Sequence, residues 1–173
     1  MAMDMNDLMK LMENSGALGQ VADMLGVDKK SANSAIDTVL PLLLKGMLGQ
    51  LNNKDTKDGF LQALSDHSKD DTSDLLKAVK KVDTDDGAKI VKHLLGAGQD
   101  EVAAKAKKKS GLDTKDILKI MAILAPILMS KMGNTAKKES ARAGSDDMFG
   151  IVGGLLDGVD AGDVIKIVSK LMK

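Results

Sequence analysis

The sequence predicts an all-α protein, a compact bundle of about nine or ten short helices. Apolar residues recur at helical spacing along most of the chain, and no five-residue stretch alternates convincingly between apolar and polar residues. Trp, Tyr and Cys are absent and only Phe60 and Phe149 are aromatic, so the core must be built from Leu, Ile, Val, Ala and Met. Nearly all the acidic residues are Asp, which caps helices well and is unfavourable inside them, so we expect many short capped helices.

Each helical segment is placed where apolar periodicity begins near an Asp or Asn and stops at a Gly or a polar run. In chain order the segments cover about residues 6–13, 17–25, 28–49, 60–65, 72–82, 83–95, 101–109 and 113–132. A polar loop is expected over 50–59 and a flexible linker over 134–147, and the Gly-rich segment 148–173 supplies two final helices. We therefore expect one helical domain over 1–133, the linker, and a C-terminal helical segment.

The two prolines of the chain occupy equivalent places in an internal pseudo-repeat of residues 21–50 and 106–135. Identical residues align at an offset of 85 (111 − 26 = 85), namely Gly26 with Gly111, Asp28 with Asp113, Lys30 with Lys115, Pro41 with Pro126, Leu43 with Leu128 and Met47 with Met132. In each copy a helix ends at Gly, an Asp caps the next helix, and a proline follows within an apolar run. Two interpretations are open: the proline begins a separate helix, or it bends a single helix and leaves the carbonyl four residues earlier unpaired. In the second interpretation those carbonyls belong to Asp37 and Ala122.

Several longer blocks resemble the YidB-like family of bacterial proteins, a domain of unknown function also called DUF937. The blocks are LGVDKKSANSAIDTVLPLLLKGM, FLQALSDHSKDDTSDLL, KIVKHLLGAGQDEVA and SGLDTKDILKIMAILAPILMSKMG. The resemblance runs from about Gly19 to Gly133. The histidines that recur in the family correspond here to His67 and His93. The resemblance implies an all-helical bacterial protein, and it implies no activity, because the family has none established.

The sequence offers little for metal binding or catalysis. A zinc site would need both His67 and His93 together with carboxylates from residues 66–71, and no two-ligand helical motif is present. We expect His93, next to an apolar pair, to be hydrogen-bonded and half-buried. The acidic stretch 83–87 has its Gly fifth, where a calcium loop requires it sixth, so helix capping explains these carboxylates better. With no Cys and no P-loop, GxGxxG or GxSxG motif, we expect no enzymatic activity, no cofactor and no metal.

DNA binding is the alternative function that the sequence leaves open. Residues 17–33 have the spacing of a helix-turn-helix, and lysines flank both hairpins: Lys29, Lys30, Lys105, Lys107, Lys108 and Lys109. Against this function stand a formal net charge of zero, a single Arg at position 142 and the lack of aromatic residues for base stacking. The lysines are more typical of solvated helix faces.

The chain gives no indication of a membrane span or a secretory signal. Its longest apolar run, 117–129, contains Lys119 and is shorter than the roughly 20 residues that a bilayer requires. The N-terminal residues include early Asp and no basic region. We therefore expect a cytoplasmic location.

The most apolar helix, 117–132, is apolar nearly all round and must be covered on every side. Its cover is either the rest of its own chain or, in part, another copy together with the apolar C-terminal segment. The favoured function is accordingly a non-enzymatic protein–protein interaction or self-assembling module that forms a homo-oligomer. The residues expected to take part are Ile120, Leu124, Leu128, Phe149, Ile151 and Leu155.

Overall fold

A computed structural model of the chain describes residues 5–69 and 74–143, and within these ranges all regular structure is helical. The all-α prediction is therefore confirmed. The elements are α1 (Met5–Asn14), α2 (Ala17–Leu25), α3 (Lys29–Asn52), α4 (Lys57–His67), α5 (Leu75–Lys81), α6 (Thr84–Leu95), a 3₁₀ turn (Gly96–Gly98), α7 (Gln99–Ser110) and α8 (Thr114–Ala143).

The helix boundaries follow local signals that the sequence displays. The carboxylates of Asp28, Asp74 and Asp83 each accept a hydrogen bond from a backbone N–H in the first turn of α3, α5 and α6. Gly26 and Gly111 end α2 and α7 in the left-handed conformation, with φ of 67° and 76°. A side chain is strained at such angles, which is why glycine stops these helices.

Three boundaries differ from the prediction. The loop expected over 50–59 shrinks to 53–56, where the Thr56 hydroxyl donates to the carbonyl of Gln50 over 2.8 Å and closes a tight turn. Helix α5 begins at Leu75 rather than near 72, because Asp74 provides its cap. Asn6, expected as a cap, lies inside α1.

The linker expected over 134–147 begins as a continuation of α8, which is helical as far as Ala143. The residues after Gly133 are mostly Ala, Lys, Glu and Arg, which are strong helix formers. The rest of that linker and the C-terminal segment 148–173 lie outside the described residues, so the division into domains stays a prediction.

Both prolines lie inside single continuous helices, which decides between the two interpretations of the repeat. Pro41 is in α3 and Pro126 is in α8, and both are buried. Because proline has no N–H, the carbonyl four residues earlier loses its helical donor. Near Pro126 the Ser130 hydroxyl donates to the Pro126 carbonyl over 2.9 Å, so a buried polar group is satisfied within the helix.

The core lies around α3 and α8, the two longest helices. Helix α8 packs against α6, α4 and α3, and α3 packs against α7. Their buried side chains are aliphatic or Met, including Ile36, Leu40, Leu43 and Met47 from α3 and Ile117, Met121 and Met129 from α8. Burying each such side chain contributes about 1.5–3 kcal/mol, so these two helices provide much of the stabilisation.

Helices cross with their backbones in contact at three glycines. A β-carbon added to Gly87 of α6 would overlap the backbone carbonyl of Ala122 in α8, which is the carbonyl that Pro126 deprives of its donor. A β-carbon on Gly46 of α3 would come within 2.8 Å of the Leu94 carbonyl oxygen. One on Gly133 of α8 would overlap the carbonyl of Leu64 in α4. Small residues at these crossings allow the close packing.

We predict that Gly87→Ala destabilises the protein by at least about 2 kcal/mol, because the added methyl group forces α6 away from α8. Gly49→Ala is the matched control: Gly49 is an exposed helical glycine with no heavy atom within 4 Å of an added β-carbon. There the substitution should stabilise the helix by up to about 1 kcal/mol. Urea denaturation followed by circular dichroism measures both effects, and equal stabilities of the two variants would contradict the close crossing.

A second prediction concerns the pH dependence of two carboxyls of α3. The Ser31 hydroxyl and backbone N–H, at 2.7 and 2.9 Å, hold the pKa of Asp28 below its ordinary value of 3.8. Partial desolvation raises the pKa of Asp37 above 3.8. A carboxyl whose pKa is lowered on folding stabilises the folded state above pH 3.8. A carboxyl whose pKa is raised on folding destabilises the folded state at pH values above that raised pKa.

At neutral pH, Asp28→Ala should therefore lower the urea midpoint and Asp37→Asn should raise it. Both charge effects should fade as the pH falls. The stabilisation by Asp28 is lost as the pH falls from 3.8 through the lowered pKa of Asp28. The destabilisation by Asp37 is lost as the pH falls from the raised pKa of Asp37 to 3.8. Urea midpoints of the parent and both variants across this range test the signs. Midpoint differences that stay constant with pH would contradict the assignment.

Candidate functional site

In the part of the chain that the structure describes, a cleft opens beside each histidine. The cleft beside His67 has a volume of about 510 Å³ and lies between the end of α4, α5, the start of α6 and the Pro126 segment of α8. We call it the His67 cleft. Its lining residues are Asp66, His67, Asp74, Lys77, Ala78, Lys81, Val82, Asp83, Asp86, Pro126, Ile127 and Ser130.

The imidazole of His67 lies beside the carboxylate of Asp86 in this cleft. Its Nε2 lies 3.6 Å from Oδ2 of Asp86, and its side chain is 19% exposed whereas that of Asp86 is 50% exposed. The pair joins the last residue of α4 to the first turn of α6. In the sequence, Asp86 belongs to a stretch that indicates helix capping, and no local signal pairs it with a residue 19 positions away (86 − 67 = 19).

The other carboxylates of the His67 cleft are engaged in local structure. Oδ1 of Asp74 accepts from the backbone N–H of Lys77, and Oδ1 of Asp83 accepts from two backbone N–H groups of α6. Oδ1 of Asp66 accepts from the Gln62 amide over 3.1 Å. Within 5–69 and 74–143, no three His, Cys, Asp or Glu side chains are grouped so that they could hold a metal ion. The His67 cleft offers one His–Asp pair and therefore two ligands, whereas zinc sites use three or four protein ligands.

The second cleft, which we call the His93 cleft, is smaller and mainly apolar. It encloses about 350 Å³ between the corner that joins α3 to α4, the end of α6, and α8. Its lining residues are Gln50, Asp55, Thr56, Gly59, Phe60, Ala63, Ile90, His93, Leu94 and Met129. The Gln50 amide donates to the backbone carbonyl of His93 over 2.9 Å.

His93 is exposed, so the prediction that it is half-buried is wrong. The reason is the orientation of α6, which turns Ile90, Val91 and Leu94 toward the core and leaves His93 at the rim. The two histidines of the sequence therefore lie in different clefts and cannot share a ligand in this fold.

The residues expected at a self-association surface divide into two groups. Ile120, Leu124 and Leu128 are buried in the core of their own chain, at most 5% exposed, and are not available to a partner while the fold is closed. Phe149, Ile151 and Leu155 lie outside the described residues. Within residues 10–47, 49–51, 53–69 and 74–134, the large apolar side chains that stay well exposed are Leu11 at 38% and Met24 at 44%.

The lysines of the DNA-binding alternative are mostly at the surface. Those exposed are Lys29, Lys30, Lys107, Lys108 and Lys109. Lys105 is half-buried, and its ammonium lies 3.2 Å from Glu101 one turn earlier. Lysines in the last turn of α7 also interact favourably with the negative end of that helix. Among the described helices none has both the length and the hydropathy to cross a membrane.

These features define the class of the molecule: an all-helical domain around two proline-containing helices, with clefts on its surface. The chain belongs to the family described as bacterial proteins of unknown function, DUF937, whose model matches residues 7–135. The resemblance drawn from the sequence blocks is thereby confirmed. No curated protein and no solved structure matches the chain.

We predict that equimolar Zn²⁺ leaves the thermal midpoint of unfolding unchanged, because the His–Asp pair of the His67 cleft supplies too few ligands to bind the folded state tightly. Thermal denaturation with and without zinc measures this, with His67→Ala as the matched control. A midpoint raised by zinc in the parent and unchanged in His67→Ala would contradict the prediction.

Proposed function

We propose that this protein is a non-enzymatic interaction module that associates with a second copy of itself through the apolar residues Phe149, Ile151 and Leu155. The observation that carries the proposal is a contrast between two parts of the chain. Within residues 10–47, 49–51, 53–69 and 74–134, the apolar side chains are buried in one core, and Leu11 and Met24 are the large ones that stay well exposed. The sequence beyond them, FGIVGGLL, is again apolar and rich in glycine.

In the described body, α8 packs against α6, α4 and α3. Its residues Ile120, Leu124 and Leu128 are buried. Burial stabilises an apolar segment of this kind, and small residues such as Gly allow two backbones to approach closely. A second copy offers the same segment and hence a self-complementary surface, which is the usual basis of twofold association.

The chemistry of the body supports an interaction role better than a catalytic one. The carboxylates of the His67 cleft cap helices or accept local hydrogen bonds, and the His93 cleft is lined mostly by apolar side chains. A general acid–base site needs groups that are free to exchange protons with a substrate. The described clefts hold only the His67–Asp86 pair that resembles such an arrangement.

We predict that the double variant Ile151→Asp with Leu155→Asp weakens self-association at least tenfold, because each carboxylate would have to be desolvated in the interface. Light scattering after gel filtration measures the mass against the 18.2 kDa of one chain. The matched control, Ser145→Asp with Ala161→Asp, adds the same charge at two less apolar positions nearby and should keep the parent mass.

Two outcomes would overturn this proposal. One is a parent protein that has the mass of a single chain over a hundredfold range of concentration. The other is a parent that associates and an Ile151→Asp, Leu155→Asp variant that associates equally well.

A further inference from the structure

The His93 cleft is an open, mainly apolar site on the surface of the described body. Its floor consists of the buried side chains of Phe60, Leu94 and Met129, which are 6%, 7% and 2% exposed. Ala63 and Ile90 form half-buried walls. The polar side chains of the lining are those of Gln50, Asp55, Thr56 and His93, and the Thr56 hydroxyl and the Gln50 amide are engaged in hydrogen bonds with the backbone. A concave apolar lining of this kind accepts apolar side chains, typically from one face of a helix.

The last ten residues of the chain, VIKIVSKLMK, have the pattern of such a helix. At 3.6 residues per turn, Lys166, Lys170 and Lys173 fall on one face. The opposite face is entirely apolar and comprises Val164, Ile165, Ile167, Val168, Leu171 and Met172. Asp163 precedes the segment at the position of an N-cap. This segment requires an apolar surface on one side and water on the other.

The C-terminal segment can reach the cleft of its own chain. Met129, in the cleft floor, is 14 residues before the end of α8 at Ala143 (143 − 129 = 14), which corresponds to about 21 Å of helix. Residues 144–163 can span up to about 66 Å when extended, so they can return the segment to the cleft. A tether of this length also gives a millimolar effective concentration, which favours the chain's own cleft over that of another molecule.

The His67 cleft fits this occupant less well. Its lining contains the carboxylates of Asp66, Asp74, Asp83 and Asp86 and the ammonium groups of Lys77 and Lys81. Covering these groups with an apolar helix face would desolvate them without new partners. The lysines of the C-terminal segment could not compensate, because they lie on the face opposite its apolar residues.

We propose that residues 164–173 form a helix that docks its apolar face into the His93 cleft of the same chain, with its lysines toward solvent. The contact uses other residues than the self-association through 149–155, so the two proposals can fail independently. Docking would cover the apolar cleft and would hold the segment 148–158 between two points attached to the body.

The absence of Trp from the chain gives a direct test in the full-length protein. Leu171→Trp places a fluorophore on the apolar face, and the matched control Lys170→Trp places it on the neighbouring polar face. We expect a blue-shifted emission and several-fold weaker acrylamide quenching for Leu171→Trp than for Lys170→Trp.

A second substitution tests the cleft side of the contact. Ala63→Arg puts a charge in the cleft wall and should abolish the difference between the two Trp variants, whereas Gln62→Arg on the exposed face of α4 should preserve it. Circular dichroism confirms that each variant is folded.

Three outcomes would overturn the proposal. Equal emission of the two Trp variants would mean that the segment is not docked. A blue shift that Ala63→Arg leaves unchanged would mean that it docks elsewhere. A blue shift that disappears on hundredfold dilution would mean that it occupies the cleft of another copy. The mass in solution should be the same with and without Ala63→Arg, which separates this contact from self-association.

Discussion

The crossing of α6 over α8 at Gly87 is the contact on which the rest of the structure depends. The bare α-carbon of Gly87 allows α6 to lie against the Ala122 carbonyl, which Pro126 has deprived of its helical donor. Residues of α6 before Gly87, such as Asp86, line the His67 cleft with Pro126, and residues after it, such as Ile90, line the His93 cleft with Met129. One close backbone contact therefore separates a polar cleft from an apolar one.

The distribution of polar groups is the reason why we propose a scaffold for contacts and not a reaction centre. Its carboxylates lie mostly at helix N-termini, where Asp28, Asp74 and Asp83 satisfy backbone N–H groups that would otherwise lack partners. A carboxylate used in this way is held in one geometry and contributes to stability. The apolar interior, built from aliphatic residues and Met, closes around α3 and α8.

Much of the fold could be predicted from the sequence because its signals are local. The Asp caps, the glycines after α2 and α7 and the apolar periodicity each act within a few residues, and they placed most helices within a few positions of their bounds. Membership of the DUF937 family could also be inferred, because the order and spacing of several blocks are present in the chain itself.

The candidate site was harder to predict from the sequence. His67 was singled out, but its pairing with Asp86 depends on how α4 meets α6, and the exposure of His93 depends on how α6 is rotated.

The sequence by itself determined that the protein is helical, where most of its helices start and stop, and that its core is aliphatic. Only the tertiary structure decided that α3 and α8 continue through their prolines, that Ile120, Leu124 and Leu128 are covered by their own chain, and that the histidines lie in separate clefts. The physical reason is the range of the interactions. Caps and periodicity act over one or two helical turns, whereas the cost of a proline and the burial of an apolar face depend on which helices pack against them.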